Sequence, residues 1–586
     1  MALIGFSSCT DDHFSIDSTV ADRQTLWEAI SADSELSEYA NILSRVYFSK
    51  REGSTTVQTY ADLLNGDQTF TVWAPKNGTF NYEAWKALLD EGTVSSIYRV
   101  ENELIRNNMT RFSHQVSGAD SMILDLFNGK IAMFNTLTQT IKGQHIDRAN
   151  IGASNGILHV INGPVSFLHN LYEYMAAQPE LDSLYKYIKK HEKITFNEVQ
   201  STPGPSIDGE VTWVDSVTYI QNTFLTREMN ALLNNEDSCY AVVMPTNSAW
   251  KTAYEKALKY FTYQPKYSQT VVPLDGQVEE GTQASAETTE YTTEEWDSIA
   301  RKHVRDFLAE NIAFNMNDPV NVNKDRKSVV EDFGRAGACD SLRNTVYNVF
   351  YDPESANIFS GIEPVKLSNG YAFVTDNYNI PTKETYLKKK DMSAFANMIS
   401  YNSTYSDQPT AETLSWNLQT DLEKDGEGNV INSTDTLFTE KTVLYVKPKG
   451  RGNPEVTFRL PNTLSCKYDI YVVTIYNAYV DMLYAFRAEI QCHKGSEKAA
   501  TPDKLQNPAD NSMIFTNRPM YNEDGTLHLT DTVLVQRNYE FPSCYYGLTK
   551  AYPTLKIVLQ GNTDRNKYTN QMYIDRIILV PKENED

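Results

Sequence analysis

Few patterns in the chain place reactive residue types at a spacing that does chemistry. Gly152-Ala153-Ser154-Asn155-Gly156 fits the Gly-x-Ser-x-Gly spacing of a hydrolase nucleophile elbow, in which a strand delivers the serine and a helix follows it. The residues that follow here, Ile157 to Ile161, predict a strand, so a turn is expected in place of a nucleophile. His114 has no cysteine, serine or carboxylate tied to it by motif, and a buried, hydrogen-bonded structural histidine is expected rather than a base or ligand. Asp421-Leu-Glu423-Lys-Asp425-Gly426 sets carboxylates at alternate positions before a glycine, as a calcium loop does. Its twelfth position is Asn432 instead of a bidentate Glu, which favours a solvated hairpin tip and leaves calcium open elsewhere in the C-terminal region. No His-Glu-x-x-His, Walker loop, Cys-x-x-Cys or dinucleotide fingerprint occurs. The chain is therefore expected to have no catalytic residues, no metal ligands and no required cofactor. A hydrolase in the C-terminal region stays as an alternative, because paired carboxylates of the glycosidase kind leave no local motif.

Binding chemistry has more to offer. There are 36 tyrosines, and Tyr476, Tyr479 and Tyr484, with Tyr545, Tyr546 and Tyr552, form the densest aromatic groups of the C-terminal region. Flat rings stack on the C–H faces of sugars and line grooves that take peptides, so these six are candidate ligand contacts, with core and inter-domain packing as the competing use. A net charge of −23, without a basic run to offset it, excludes nucleic acid as a partner. No stretch reaches the roughly 20 apolar residues of a membrane-spanning helix. The opening Met-Ala-Leu-Ile-Gly-Phe-Ser7-Ser8-Cys9, followed by Thr10-Asp11-Asp12, reads as the end of a lipoprotein signal in which Cys9 is acylated and exported to an outer-membrane surface. Membrane contact is then expected through that anchor alone. Cys239, Cys339, Cys466, Cys492 and Cys544 are odd in number and spaced for neither a disulfide framework nor zinc. Buried thiols are expected, with one or two bridges open.

The elements that must position these residues change character along the chain. Leu36, Ala40, Leu43 and Tyr47 share a helical face, Gln68–Trp73 predicts a strand ended by Pro75, and Val100 to Met109 carries a second helical stripe. Met122–Phe127 and Lys130–Phe134 predict a hairpin around Asn128-Gly129. The order then repeats loosely: Glu35-Leu36-Ser37 returns as Glu180-Leu181-Asp182, Val72–Phe80 as Val242–Trp250, and Asn155-Gly156 as Asn369-Gly370. Two stretches look inserted in the second copy, Gln200–Glu210 and Gly276–Glu295, the latter expected as a mobile surface loop. Beyond about Lys390 helical periodicity fades. Seven alternating strands, Thr442–Val446, Val456–Leu460, Ile470–Tyr476, Tyr484–Gln491, Thr532–Gln536, Thr554–Leu559 and Tyr573–Val580, predict a sandwich.

Thr71-Val72-Trp73-Ala74-Pro75-Lys76-Asn77-Gly78-Thr79-Phe80 and Asn155-Gly156-Ile157-Leu158-His159-Val160-Ile161 resemble the paired boxes of fasciclin-like domains, and Phe112-Ser113-His114 resembles the Tyr-His pair between them. The resemblance implies that Asn77 caps a turn and that a buried histidine ties a helix to a strand, with Asn155, Gly156 and His159 completing the structural motif. Asn311 takes the approximate place of His114 in the second copy. Tyr573 to Pro581 resembles the last strand of carbohydrate-binding jelly rolls. The expected architecture is multidomain α+β: a tether over 1–21, fasciclin-like α/β-wedge domains over 22–167 and 168–385, and an all-β, jelly-roll-like sandwich over 386–586. The resemblance further implies a catalytically silent surface lipoprotein that binds oligosaccharide or oligopeptide and docks on a SusC/SusD-type uptake complex. Cell-surface adhesion is the alternative.

Overall fold

Among the described residues up to about 180, apolar side chains gather on short helices and a seven-stranded sheet. In the computed structural model, which describes residues 24–49, 58–207, 210–271, 285–321, 341–351, 354–413, 442–476, 482–494, 501–518, 520–521, 527–528, 530–561 and 563–583, helix Leu26–Ala32 starts at a capping box, Thr25 and Glu28 satisfying each other's backbone N–H. Cys9, Cys339, Tyr479 and the 421–432 loop lie outside these residues. The helix Ser37–Arg45 buries Tyr39, Ile42 and Leu43. It ends at Arg45, so Tyr47 falls in a short strand and is half exposed instead of continuing the predicted stripe.

Seven strands form the N-terminal sheet: β1 (Phe70–Pro75), β2 (Met109–Arg111), β3 (Ser121–Asp125), β4 (Ile131–Asn135), β5 (Thr140–Ile141), β6 (Gln144–Ala153) and β7 (Gly156–Ile161), in the order β2-β1-β7-β6-β5-β4-β3. β1 pairs in parallel with β7 and antiparallel with β2. Both strands of the parallel pair are buried along their whole length, so Thr71 and Trp73 are as enclosed as Phe70 and Val72. The alternation of Phe70 and Val72 with Thr71 and Trp73 that a half-buried strand would show is therefore absent from β1. The β3–β4 hairpin turns where the sequence placed it, with Gly129 at a φ of 81°.

A second sheet contains β8 (Tyr240–Pro245), β9 (Ala313–Asn315), β10 (Val365–Leu367) and β11 (Gly370–Thr375), in the order β9-β8-β11-β10. The described parts of both inserted stretches are paired or capped, while 208–209 and 276–284 lie outside the described residues. Gln200–Glu210 falls in a long antiparallel ribbon, Glu192–Ile207 against Glu210–Asn222. Within Gly276–Glu295, Ser285–Glu290 pairs with Lys266–Val271, and Thr292 opens the 18-residue helix Thr293–Glu310 with a capping box. Trp296, Ala300, Val304 and Leu308, four apart, supply that helix's buried face. The polar composition over 285–295 belongs to a ribbon and a cap, which need few aliphatic residues.

The C-terminal region is a sandwich of two mainly antiparallel sheets. One holds β12 (Lys390–Ser393), β13 (Thr410–Thr413), β14 (Thr442–Val446), β15 (Lys467–Ile475), β16 (Thr530–Glu540) and β17 (Met572–Pro581), in the order β13-β14-β17-β15-β16 with β12 also on β17. The other runs Met398–Tyr401, Glu455–Arg459, Thr554–Leu559, Leu483–Gln491 and Asp503–Lys504. All seven predicted strands are present, and β12, β13, Met398–Tyr401 and Asp503–Lys504 are additional. Contacts group residues up to Ala177 with Leu232–Tyr240 and Val365–Ala372 as one unit, and the remainder as a second. The described cysteines Cys239, Cys466, Cys492 and Cys544 form no disulfide. Burial pushes the thiols of Cys466 and Cys544 up to about 12, so both stay protonated and inert at neutral pH.

Candidate functional site

The box residues act on backbone. The Asn155 side chain accepts from Leu26 N at 2.8 Å and donates to the carbonyls of Leu64 (2.8 Å) and Gly66 (2.7 Å), tying a helix start to the loop before β1. Gly156 follows at a φ of 147°, and a Cβ there would lie 1.9 Å from Phe70 O. The second copy repeats this. Asn369 accepts from Leu171 N at 2.9 Å and donates to Leu233 O and Asn235 O, and Gly370 sits at 145° with Tyr240 O equally close. Asn77 accepts from Glu38 N and donates to Ser34 O; Asn247 does the same with Ser183 N and Pro179 O.

Two positions differ from the sequence reading. His159 is the enclosed histidine: it is fully buried, stacks on Trp73 with ring centroids 6.0 Å apart, and its Nε2 meets His114 O at 2.9 Å. Burial holds its imidazole down at about 4. His114 is only half-buried, with Nε2 at 3.2 Å from Arg111 O. Asn311 matches Asn108 rather than His114, since each donates to the carbonyl four residues earlier at a helix end. Ser154 stands exposed in the turn between β6 and β7, with strands on both sides, and is no nucleophile elbow.

Of the six tyrosines proposed from sequence, the five among the described residues do not gather into an exposed platform. Tyr476, Tyr484, Tyr545 and Tyr552 are all buried, and Tyr546 is half-buried. Tyr545 packs edge-on to Tyr267 at 5.1 Å and its hydroxyl accepts from His493 N at 2.6 Å. Tyr546 lies against His303 and Phe307 at 5.0 and 5.1 Å, and Tyr263 donates to its carbonyl at 2.9 Å. These rings pack the sandwich onto helix Thr293–Glu310, each aromatic pair contributing about 0.5–1.5 kcal/mol beyond area. Density along the sequence reflects a seam.

Two rings that do reach solvent come from strands distant in sequence. Tyr445 of β14 stands opposite Tyr573 of β17, and both are half-buried between buried neighbours, which sets them on the outward face. The rings stack at 4.6 Å and 19°. Tyr445 donates to Gln571 Oε1 at 2.8 Å. Partial burial raises both phenols, and the nearby Glu412 carboxylate raises them further. One level along, Arg576 pairs in register with Val473 and Ser393, with its Nη1 3.2 Å from Asp575 and its Nε 3.8 Å from Asp391. Half-buried Tyr471 follows on the next level, opposite Ile578. The outward face thus carries aromatic surface beside an amide, carboxylates and a guanidinium. The other sheet shows charge instead, in Glu455, Lys556 and Arg487.

No family model matches the chain, and no curated protein matches it. Among solved structures, a FAS1 domain pair from the insect cell adhesion molecule Fasciclin I is 11% identical, covering 61% of this chain and 97% of that one at a TM-score of 0.18. A xylan-binding domain of carbohydrate-binding module family 22 is 10% identical over 34% of this chain and 96% of that one, at 0.19. TmCBM27, a module that recognises mannan, is 14% identical over 33% and 96%, at 0.17.

Proposed function

We propose that this chain is a binding protein of the cell surface, and that its C-terminal sandwich takes oligosaccharide on the outward face of the sheet centred on β17. The observation that carries this reading is the stacked Tyr445–Tyr573 pair, flanked by Gln571, Glu412, Arg576 and Asp391. Apolar ring surface accepts the C–H face of a pyranose, and groups of both hydrogen-bonding senses beside it match hydroxyls that both donate and accept. The wider setting follows the sequence: Cys9 acylated, the chain held at an outer-membrane surface, and the N-terminal domains docked on a SusC/SusD-type transporter that receives the ligand. Nothing in this reading requires catalysis.

The test is calorimetric titration of the full chain with xylo-, manno- and cello-oligosaccharides and with an oligopeptide panel. Tyr445→Ala and Tyr573→Ala are each expected to weaken glycan binding at least about tenfold, the loss of about 1.4 kcal/mol of stacking. They should cost the fold only about 1 kcal/mol as a cross-strand pair. Binding that survives both substitutions would move the ligand elsewhere.

A further inference from the structure

In a sheet with one solvated face, outward positions are polar, and the β3–β4 hairpin breaks that rule. Leu124, Ala132 and Phe134 point inward and are buried. The outward rungs are Asp125 opposite Ile131 and Ile123 opposite Met133. Ile123 is 71% exposed, Met133 56% and Ile131 38%, with Leu137 beyond the strand at 65%. Two adjacent rungs therefore expose apolar surface on one face.

The edge beside it is open as well. Among the described residues β3 is the last strand of its sheet, and β4 is its one strand neighbour. Thr136 N donates to Asp120 O and Leu126 N to Lys130 O, so even-numbered residues of this ladder turn their backbone groups toward β4. By alternation the N–H and C=O of Ser121 and Ile123 face away from it.

The same face runs into a cavity. Asp125 and Ile131, the rung next to Ile123 and Met133, line a recess of about 580 Å³ together with Glu173, Asn234, Glu236 and Asp237. No lysine or arginine is among its lining residues. Two cations lie nearby: Lys130, almost wholly buried, whose Nζ lies 2.6 Å from both Glu173 and Glu236, and Lys142, which interacts electrostatically with Glu236. Both ammoniums act on the Glu173–Glu236 pair, and Asp125 and Asp237 keep the balance of the recess negative.

We propose that this surface binds an extended segment of a protein partner, which adds a strand to β3 while setting an apolar side chain on Ile123 and Met133 and a lysine or arginine, two residues away, in the acidic recess. The spacing follows from the strand: successive same-face side chains are two residues apart, the offset between the two rungs. The edge amides select an extended chain over a sugar or free cation, and the carboxylates select its charge. None of the sugar-binding residues enters this reading, so its failure would leave that one standing.

A fluorescein-labelled peptide, Thr-Lys-Thr-Val-Thr-Val-Thr, tests it by anisotropy on the full chain. Saturable binding is expected at about 0.1–1 mM, at least about tenfold weaker with Glu in place of Lys, and weakened by added salt. Ile123→Pro removes an edge N–H, and Met133→Ser and Asp125→Asn remove the apolar and acidic contacts; each should weaken binding at least about fivefold with an unchanged melting curve. Equal affinity for the Lys and Glu peptides, binding untouched by Ile123→Pro and Met133→Ser together, or no saturation by about 5 mM would overturn the proposal. So would a dimer in sedimentation that Ile123→Pro dissociates, which would give the edge to a second copy of the chain.

Discussion

Replacing Asn155 with alanine removes one buried side chain and strands three backbone groups. Leu26 N loses its acceptor at a helix start, and Leu64 O and Gly66 O lose their donor. Leu26 and Leu64 are fully buried, so water does not replace those two partners, while half-buried Gly66 recovers part of its loss. At about 1–3 kcal/mol for each stranded buried group, Asn155→Ala should cost roughly 2–6 kcal/mol. A chain of several domains does not unfold in one step, so the readout is local: amide hydrogen exchange of β1 and β7, followed by mass spectrometry. Protection there should fall by the factor matching that free energy. Asn155→Asp sharpens the test, because its carboxylate still accepts from Leu26 N but turns a second oxygen toward two carbonyls. It should be no milder than alanine at pH 8. Asn369→Ala should show the same class of loss at Leu171, Leu233 and Asn235. An Asn155→Ala protein with unchanged exchange, or an Asp variant like wild type, would refute the bridging role.

Lys130→Met leaves Glu173 and Glu236 without the ammonium 2.6 Å from each, and should destabilise the first unit by about 3–5 kcal/mol, read from exchange in β4. The two units should respond to pH in opposite directions. Burial first, then Asp306 and Glu228, raises Glu310 from 4.5 to about 7, so the folded form binds the extra proton and stability falls as pH rises from 4.5 through 7. Glu310→Gln should therefore gain up to roughly 3 kcal/mol at pH 8 and nothing at pH 4, read from amide exchange in helix Thr293–Glu310. Burial lowers His159 from 6.5 to about 4, so the first unit should lose up to roughly 3 kcal/mol as pH falls from 6.5 to 4, seen as faster exchange in β6 and β7.

Part of this architecture is legible because single residues carry whole backbone demands. An Asn that spans a helix N–H and two carbonyls, followed by a Gly whose Cβ would strike a carbonyl 1.9 Å away, cannot be exchanged for a neighbour in sequence, so the pairs 155-156 and 369-370 stand out twice. Strands of the sandwich are legible for a similar reason, since Thr554–Leu559 alternates half-buried and buried residues one for one. The matching of Asn311 to His114 failed because it counted positions along the chain, whereas equivalence lies in the bond to the carbonyl four residues back.

The candidate site was hidden by distance. Tyr445 and Gln571 are 126 positions apart and meet only because β14 lies beside β17. Tyr545 and Tyr546 are adjacent in sequence, yet they serve a seam, since composition does not tell which side of a sheet a ring faces. Lys130 looks like an ordinary hairpin lysine until partners 43, 106 and 238 positions away close around it. Enclosing that charge has a consequence for the surface beside it. With Lys130 withdrawn and committed to Glu173 and Glu236, Asp125 and Asp237 keep no cation among the lining of the recess, and the hairpin presents Ile123 and Met133 next to uncompensated acid. A surface that sets apolar rungs, an unpaired strand edge and net negative charge within two rungs suits an extended basic segment, which covers the first, pairs with the second and neutralises the third.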